Sequence, residues 1–201
     1  MSLPHRPGPP GACAIAFKEW AGICEALADG RQSLILRKGG IDEGPAGFRP
    51  EHPAFWLYPT RIHEAEQGLR VTSEPRLIRP ADDDRVELRA LAVVSSIDRV
   101  DDMPALERLE AEHIWSAGTI AKRFHYRSPG LWVLRVRIYL VERPVAIELT
   151  AEHAGCKTWV PLDRAIPVEG PTPVLDDSAD EAAAIRVRSA LAPAELGRAR
   201  T

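Results

Sequence analysis

The spacing of hydrophobic and polar residues along the chain predicts both strands and helices, in no regular order. Segment 131–141 has the clearest pattern, because apolar side chains occupy every second position, and this predicts a strand. Arg135 and Arg137 fall together on the opposite face of that strand. Segment 86–95 alternates in the same way and predicts a second strand.

A different spacing marks the N-terminal region. Apolar residues recur there at i, i+3, i+4 and i+7, which predicts an amphipathic helix over 16–28. The residues of its predicted buried stripe are Trp20, Ile23, Cys24 and Leu27. The residues predicted to lie away from that stripe are Lys18, Glu19, Gly22, Glu25 and Asp29.

Shorter patterns and breaker residues complete the prediction. Further strands are predicted at 31–38, 55–58 and 156–162, and further helices at 61–67, 101–112, 116–124 and 182–191. Gly39 and Gly40 end the first of these strands, and Pro59 ends the second. Because helices and strands alternate without a βαβ rhythm, we predict an α+β fold with a curved mixed or antiparallel sheet and flanking helices.

Composition along the chain predicts one folded domain. Residues 1–14 are rich in Pro and Gly and have little to bury, so we expect them to be disordered. Residues 15–165 carry the periodic segments and form the predicted single α+β domain. Residues 166–201 form a Pro/Ala-rich tail, and the helix predicted there has few large apolar residues, so we expect it to be weakly docked.

Overall charge and cysteine content limit the classes of function. The net charge of -3 predicts no general attraction to nucleic acid, so any such binding requires a local basic patch. The three cysteines form no C-x-x-C pair, which predicts reduced thiols in a cytoplasmic protein. No segment approaches the ~18 apolar residues that a membrane-spanning helix needs, and we expect no membrane partner.

Two sets of short motifs carry a resemblance to a known family. The first set is Phe17-Lys18-Glu19-Trp20, Cys24-Glu25-Ala26-Leu27, Gly30-Arg31-Gln32, Leu36-Arg37-Lys38-Gly39-Gly40-Ile41 and Phe55-Trp56-Leu57-Tyr58-Pro59-Thr60. The second set is Arg123-Phe124-His125-Tyr126, Leu131-Trp132-Val133-Leu134, Arg137-Ile138-Tyr139 and Gly155-Cys156-Lys157. In these motifs, over about residues 15–162, the sequence resembles the bacterial family called domain of unknown function 1802. The resemblance implies no chemistry, although fusion of some members to restriction-endonuclease-like domains implies an association with nucleic acids.

The stretch from Leu27 to Lys38 also resembles PUA-like barrels, including the ASCH type. In those barrels a helix runs into a strand that begins with a Gly-Arg-Gln-like motif and ends in a basic residue. This second resemblance implies a sheet curved toward a barrel, and RNA or modified bases as ligands.

Two basic segments are candidate binding surfaces. Arg37 and Lys38 precede Gly39 and Gly40, whose backbone amides can form an anion-binding nest. Residues 122–127 interleave basic and aromatic side chains, a composition that binds phosphates and stacks bases. The predicted nucleic-acid or anion-binding residues are Arg37, Lys38, Gly39, Gly40, Tyr58, Lys122, Arg123, Tyr126, Arg135 and Arg137. A simple turn and ordinary surface ion pairs explain the same residues, so both interpretations stay open.

Our leading hypothesis is a non-catalytic nucleic-acid or nucleotide-binding module, with RNA or DNA as partner and no cofactor. The alternative is a small-molecule enzyme in which His63 acts with Arg37 and Lys38 at an anion-binding cleft. A capping or surface role also explains His63. We expect no metal site, because no second histidine or carboxylate has ligand spacing, and the phosphate-binding-loop, Rossmann and zinc-protease motifs are absent.

Overall fold

A mixed β-sheet with helices packed against it organises the protein. The computed structural model describes residues 8–38, 48–60, 68–70, 77–79, 84–150 and 157–193. The strands are β1 (Ala12–Trp20), β2 (Leu34–Arg37), β3 (Ala54–Thr60), β4 (Arg85–Val100), β5 (Leu131–Glu148), β6 (Trp159–Pro167) and β7 (Thr172–Pro173). The helices are α1 (Ala21–Ala28), α2 (Met103–Arg108), α3 (Ala117–His125) and α4 (Asp177–Leu191), with a short 3-10 helix at Glu110–Glu112. The predicted α+β class, with a mixed sheet and flanking helices, is confirmed.

The strand order places β1 and β2 far apart in the sheet. The order is β2-β5-β4-β3-β1-β6, and β7 pairs with β5. β1 and β3 run parallel, whereas β4 and β5 form a long antiparallel pair. That central pair has register shifts near Arg89 and Ser95, and such bulges bend strands and increase their twist.

Both faces of the sheet are buried. Ala16 and Phe17 are neighbours in β1, yet they belong to two different hydrophobic clusters, one on each face. The larger cluster includes Phe17, Trp20, Ile23, Leu27, Leu34, Trp115 and Leu134. The smaller cluster includes Ala16, Trp56, Tyr58, Leu88, Leu91 and Tyr139. A charged side chain on such a strand therefore has no solvent side and needs a partner within the protein.

Residues 16–20 are strand, so the helix predicted over 16–28 was wrong in its first part. β1 pairs with β3 and β6, and α1 begins only at Ala21. A strand buried on both faces lacks period-two alternation, and Trp20 at its end continues the helical spacing of α1 by coincidence. The predicted burial is confirmed for Trp20, Ile23, Cys24 and Leu27.

Other element boundaries also differ from the prediction. Pairing with β1 carries β3 through Pro59 to Thr60, because the fixed φ of proline is compatible with an extended chain. The helix predicted at 101–112 is divided into α2 and the 3-10 helix. The helix predicted at 61–67 lies outside the described residues. None of the described helices has the length and hydrophobicity needed to cross a membrane.

Helix α4 is held against the sheet by a buried ion pair. A guanidinium nitrogen of Arg135 lies 2.5 Å from the Asp180 carboxylate, and the two side chains are 5% and 3% exposed. Asp177, one turn before Asp180 in α4, is 82% exposed, and its carboxylate lies 2.5 Å from the guanidinium of Arg137. Val187 of α4 is buried in the larger cluster. These contacts argue against a loose attachment of α4, and the domain boundary near residue 165 stays a prediction.

His113 is a buried histidine with an unpaired ring. Among the described residues neither ring nitrogen has a hydrogen-bond partner, and the ring packs edge-on against Trp115 with centroids 5.7 Å apart. Burial, reinforced by the charge of Arg70, lowers the pKa of His113 to about 4. The imidazole is therefore neutral in the folded protein near neutral pH.

The two carboxylates of α4 allow a matched test of burial. Asp180→Ala leaves Arg135 buried without its carboxylate, and we expect a loss of about 3–5 kcal/mol in the free energy of unfolding. Asp177→Ala removes an exposed partner at the same distance, and we expect a loss of at most about 1 kcal/mol. Urea denaturation of both variants measures the difference, and equal losses would show that burial of the pair is not what holds α4.

The neutral His113 predicts an acid-dependent loss of stability. Its pKa is about 4 in the folded state and about 6.5 in the unfolded state, so only the unfolded chain takes up a proton between these values. The stabilisation is complete above pH 6.5 and falls by about 3 kcal/mol as the pH approaches 4. In His113→Phe this component should be absent, so on acidification the wild type should lose about 3 kcal/mol more stability than the variant. Parallel unfolding curves across this pH range would contradict the assignment.

Candidate functional site

Lys38 ties the end of β2 to the turn that follows α3. Its ammonium group donates to the carbonyl oxygens of Phe124 at 3.1 Å and Gly130 at 2.9 Å, and to that of Ser128. An ammonium group has three N–H donors, and three carbonyl groups accept them. Burial, together with the nearby charge of Arg99, lowers the pKa of Lys38. The sequence predicted Lys38 as a ligand-binding residue, whereas its hydrogen bonds in the structure are internal.

The segment that Lys38 holds, residues 122–130, is here called the basic turn. Residues 117–130 contain no Asp or Glu, so nothing within this segment neutralises its cations. Its exposed side chains include Lys122, His125, Tyr126 and Arg127. Tyr126 is 48% exposed, and the guanidinium of Arg127 lies over its ring at 5.1 Å from the centroid. The turn therefore presents several cations and one aromatic ring to solvent.

Arg99 of β4 borders the basic turn and adds another exposed cation. It donates to the carbonyl oxygen of Pro129 at 3.0 Å and lies over the ring of Trp132. The guanidinium of Arg99 lies close to where a Cβ atom of residue 130 would be, and the φ of Gly130 is +114°. The positive φ favours glycine at this position. Arg99 and the turn are thus fitted closely to each other.

Two less exposed arginines, Arg37 of β2 and Arg123 within the basic turn itself, are here called the arginine pair. Arg37, the last residue of β2, donates to the Thr158 hydroxyl at 2.6 Å and lies 3.5 Å from the Glu19 carboxylate. Its guanidinium also lies over the Phe17 ring at 5.2 Å. Glu19 is 1% exposed and accepts a second hydrogen bond from the backbone amide of Trp20 at 2.9 Å.

Arg123, the second member of the pair, is packed against tryptophan rather than against a carboxylate. Its guanidinium lies 4.4 Å from the ring centroid of Trp20 and 5.8 Å from that of Trp115. It donates to the carbonyl oxygen of Leu36 at 3.4 Å, and no described carboxylate forms an ion pair with it. Burial lowers the pKa of Arg123 to about 10, with Glu19 opposing that shift and Arg37 adding to it. Arg123 is therefore charged at neutral pH but weakly compensated.

The structure brings together five of the residues predicted for binding. Arg37, Lys38, Lys122, Arg123 and Tyr126 meet where the ends of β2 and α3 come together.

Three other predicted binding residues lie elsewhere. Tyr58 is buried in the smaller cluster on the opposite sheet face, where burial raises its pKa. Arg135 and Arg137 point to α4 and are engaged by Asp180 and Asp177. Gly39, Gly40 and His63 lie outside the described residues.

Sequence reasoning missed several contributors to this region. Glu19 was predicted to lie away from the buried stripe, but it faces Arg37 in the core because residue 19 is in a strand. Glu25, also predicted as solvated, is buried and accepts hydrogen bonds from the backbone amides of Leu77 and Ile78. No sequence signal pointed to Arg99 or Thr158, whose roles arise from tertiary contacts. Within the described ranges, no group of three His, Cys, Asp or Glu side chains is placed to hold a metal ion.

Comparisons with known proteins identify a family and a set of similar folds. The model of the family described as "Domain of unknown function (DUF1802)" matches residues 16–184. The crystal structure of ASCH from Zymomonas mobilis is similar with a TM-score of 0.42 and 12% identity, over 75% of this chain and 87% of that one. Two mutants of the same protein give a TM-score of 0.44 at 12% identity, over 75% of this chain and 88% or 90% of theirs. No curated protein matches the chain significantly.

We expect that Lys38 contributes to stability rather than directly to ligand binding. Lys38→Met removes three internal hydrogen bonds, and we expect a loss of about 2 kcal/mol in the free energy of unfolding. Lys122→Met removes the same charge from an exposed site of the same segment, and we expect a change within about 0.5 kcal/mol. Urea denaturation compares the two variants. A Lys38→Met protein as stable as Lys122→Met would mean that the three carbonyl contacts do not hold the turn.

Proposed function

Because the chain belongs to the DUF1802 family, whose function is unknown, we propose its function from the site: it is a non-catalytic nucleic-acid-binding module that contacts its partner through the basic turn. The observation that carries this proposal is the fixation of that turn by Lys38. Three internal hydrogen bonds hold a segment without acidic residues so that Lys122, Tyr126 and Arg127 face solvent. A surface fixed in advance loses less conformational entropy when it binds.

The side chains of the basic turn suit the two parts of a nucleotide. Lysine and arginine neutralise phosphates and release condensed counterions, which supplies most of the sequence-independent affinity for nucleic acids. An exposed tyrosine offers a face on which a base can stack, an interaction worth about 1–3 kcal/mol. Arg99 extends the positive surface beyond the turn. A local surface of this kind is what the net charge of -3 requires of a nucleic-acid-binding protein.

The alternative of a small-molecule enzyme finds less support. It assigns His63, Arg37 and Lys38 to one cleft, but the ammonium of Lys38 is engaged by three carbonyl groups. His63 lies outside the described residues. The side chains of the basic turn support binding but no reaction, so we propose no catalytic activity.

The test is a comparison of salt dependence among three variants. Binding of fluorescein-labelled single-stranded RNA and DNA of one sequence is measured by fluorescence anisotropy at several salt concentrations. Lys122→Ala with Arg127→Ala should weaken binding and reduce the slope of log K against log salt by about 1.4, or about 0.7 for each lost phosphate contact. Tyr126→Ala should weaken binding by about 1–3 kcal/mol and leave that slope unchanged.

A charge-matched control separates the basic turn from general electrostatics. Arg143 and Arg164 are exposed arginines outside the turn, so Arg143→Ala with Arg164→Ala removes the same charge elsewhere. We expect this control to bind like the wild type. Failure of the wild type to bind any single- or double-stranded RNA or DNA near physiological salt would refute the proposed function. An equal loss in the control would refute the assignment to the basic turn.

A further inference from the structure

We infer that the arginine pair, Arg37 and Arg123, receives a terminal phosphate monoester, either at the end of a nucleic-acid strand or on a free nucleotide. This inference rests on the proposed function, because the basic turn would hold the rest of the strand. The two surfaces share one helix, since Arg123 and Lys122 are neighbours in α3. In this arrangement the basic turn contacts the nucleic-acid strand, and the arginine pair binds the phosphate at the end of that strand.

The first argument is the unused donor capacity of Arg123. A guanidinium carries five N–H donors, and with the residues that the structure describes this one makes a single long hydrogen bond, of 3.4 Å, to a backbone carbonyl. Arg135 provides the internal contrast, because its guanidinium bonds the carboxylate and the carbonyl of Asp180 as well as the Ser95 hydroxyl. Where this protein uses a buried arginine for structure, it supplies an anion. At Arg123 the described residues supply none.

The second argument is the charge and rigidity of the pair. The carboxylate of Glu19 acts electrostatically on Arg123, but it pairs with Arg37 and also accepts from the Trp20 amide. The cluster of these three side chains is therefore left with one net positive charge. The Arg123 guanidinium lies over the ring of Trp20 at 4.4 Å and over that of Trp115 at 5.8 Å, and these contacts restrict its movement. A phosphate monoester is dianionic at neutral pH and accepts paired hydrogen bonds from a guanidinium fork.

The third argument is depth, which favours a terminal phosphate over an internal one. The Arg37 side chain is 15% exposed, and Arg123 is half-buried between α3 and two tryptophan rings. An internal phosphodiester carries a nucleoside on each side and suits the exposed cations of the basic turn. A monoester carries a substituent on one side only, so its three free oxygens can approach guanidinium groups that are only partly exposed.

The experiment measures a ratio of affinities. Anisotropy is recorded in phosphate-free buffer for one oligonucleotide sequence with a 5′-phosphate, with a 3′-phosphate and without a terminal phosphate. We expect the wild type to bind one phosphorylated form at least about ten-fold more tightly than the unphosphorylated form. Arg123→Gln should reduce this ratio to about one, and Arg123→Lys should recover it only in part, because lysine keeps the charge but lacks the fork. Circular dichroism confirms that each variant is folded.

Matched variants and a second probe keep the outcomes distinct. Lys122→Ala with Arg127→Ala should weaken all three oligonucleotides equally and preserve the ratio. A ratio of one in the wild type overturns this inference and leaves the proposed function standing. If no oligonucleotide binds, the proposed function fails. The inference about the arginine pair is then tested by comparing the rise in melting temperature caused by a nucleoside monophosphate with that caused by its nucleoside. Stabilisation that Arg123→Gln abolishes supports a free nucleotide as the ligand, and its absence in the wild type overturns the inference.

Discussion

The burial of both faces of the sheet is the constraint on which the rest of this structure depends. Charged side chains in the covered parts of β1, β2 and β5, such as Glu19, Arg37 and Arg135, cannot turn to solvent within their strands, so each must meet a partner from another element. Glu19 of β1 meets Arg37 of β2, although these strands lie far apart in the sheet. Arg135 of β5 meets Asp180 of α4. Because each buried charge needs a partner, these ion pairs connect segments that are remote in sequence.

The cations of the protein differ in how completely internal partners satisfy them. Lys38 and Arg135 are held by internal partners and belong to the framework. Lys122 and Arg127 remain on the surface, where a partner reaches them without displacing an internal contact. Arg123 lies between these classes, because it is half-buried as a structural residue would be but lacks the anion that structural residues have here. Composition alone gives no indication of this division, because all five are simply basic residues in the sequence.

What could be predicted from the sequence follows from local rules. The strong alternation of 131–141, the pattern that predicted a helix over 116–124 and the apolar stripe of α1 each indicated the correct element. The sequence also drew attention to the basic turn, because its interleaved basic and aromatic residues are consecutive. The family resemblance was confirmed by the match over residues 16–184. Local patterns were sufficient wherever one segment carried the whole signal.

The errors arose where two distant segments determine the outcome. β1 was taken as helix because a strand covered on both faces has no alternation to detect. The internal hydrogen bonds of Lys38 were not predicted, because its three acceptors lie far away in sequence. For the same reason Arg135 and Arg137 were grouped with the binding surface, since only the docking of α4 shows that aspartates face them. Tyr58 was grouped there too, although the opposite sheet face buries it.

The placement of α2 and α3 between β4 and β5 has a consequence for the order of folding. Val100 and Leu131 are paired at the end of the central strands, but the chain between them forms both helices and the basic turn. The longest strand pair therefore cannot start from a tight hairpin, and its formation first requires closure of this large loop. β2, which lies at the edge of the sheet, can contribute Lys38 only after β5 is in place. The surface that we assign to binding therefore depends on the tertiary structure, because the basic turn is fixed only where β2, α3 and β5 have come together.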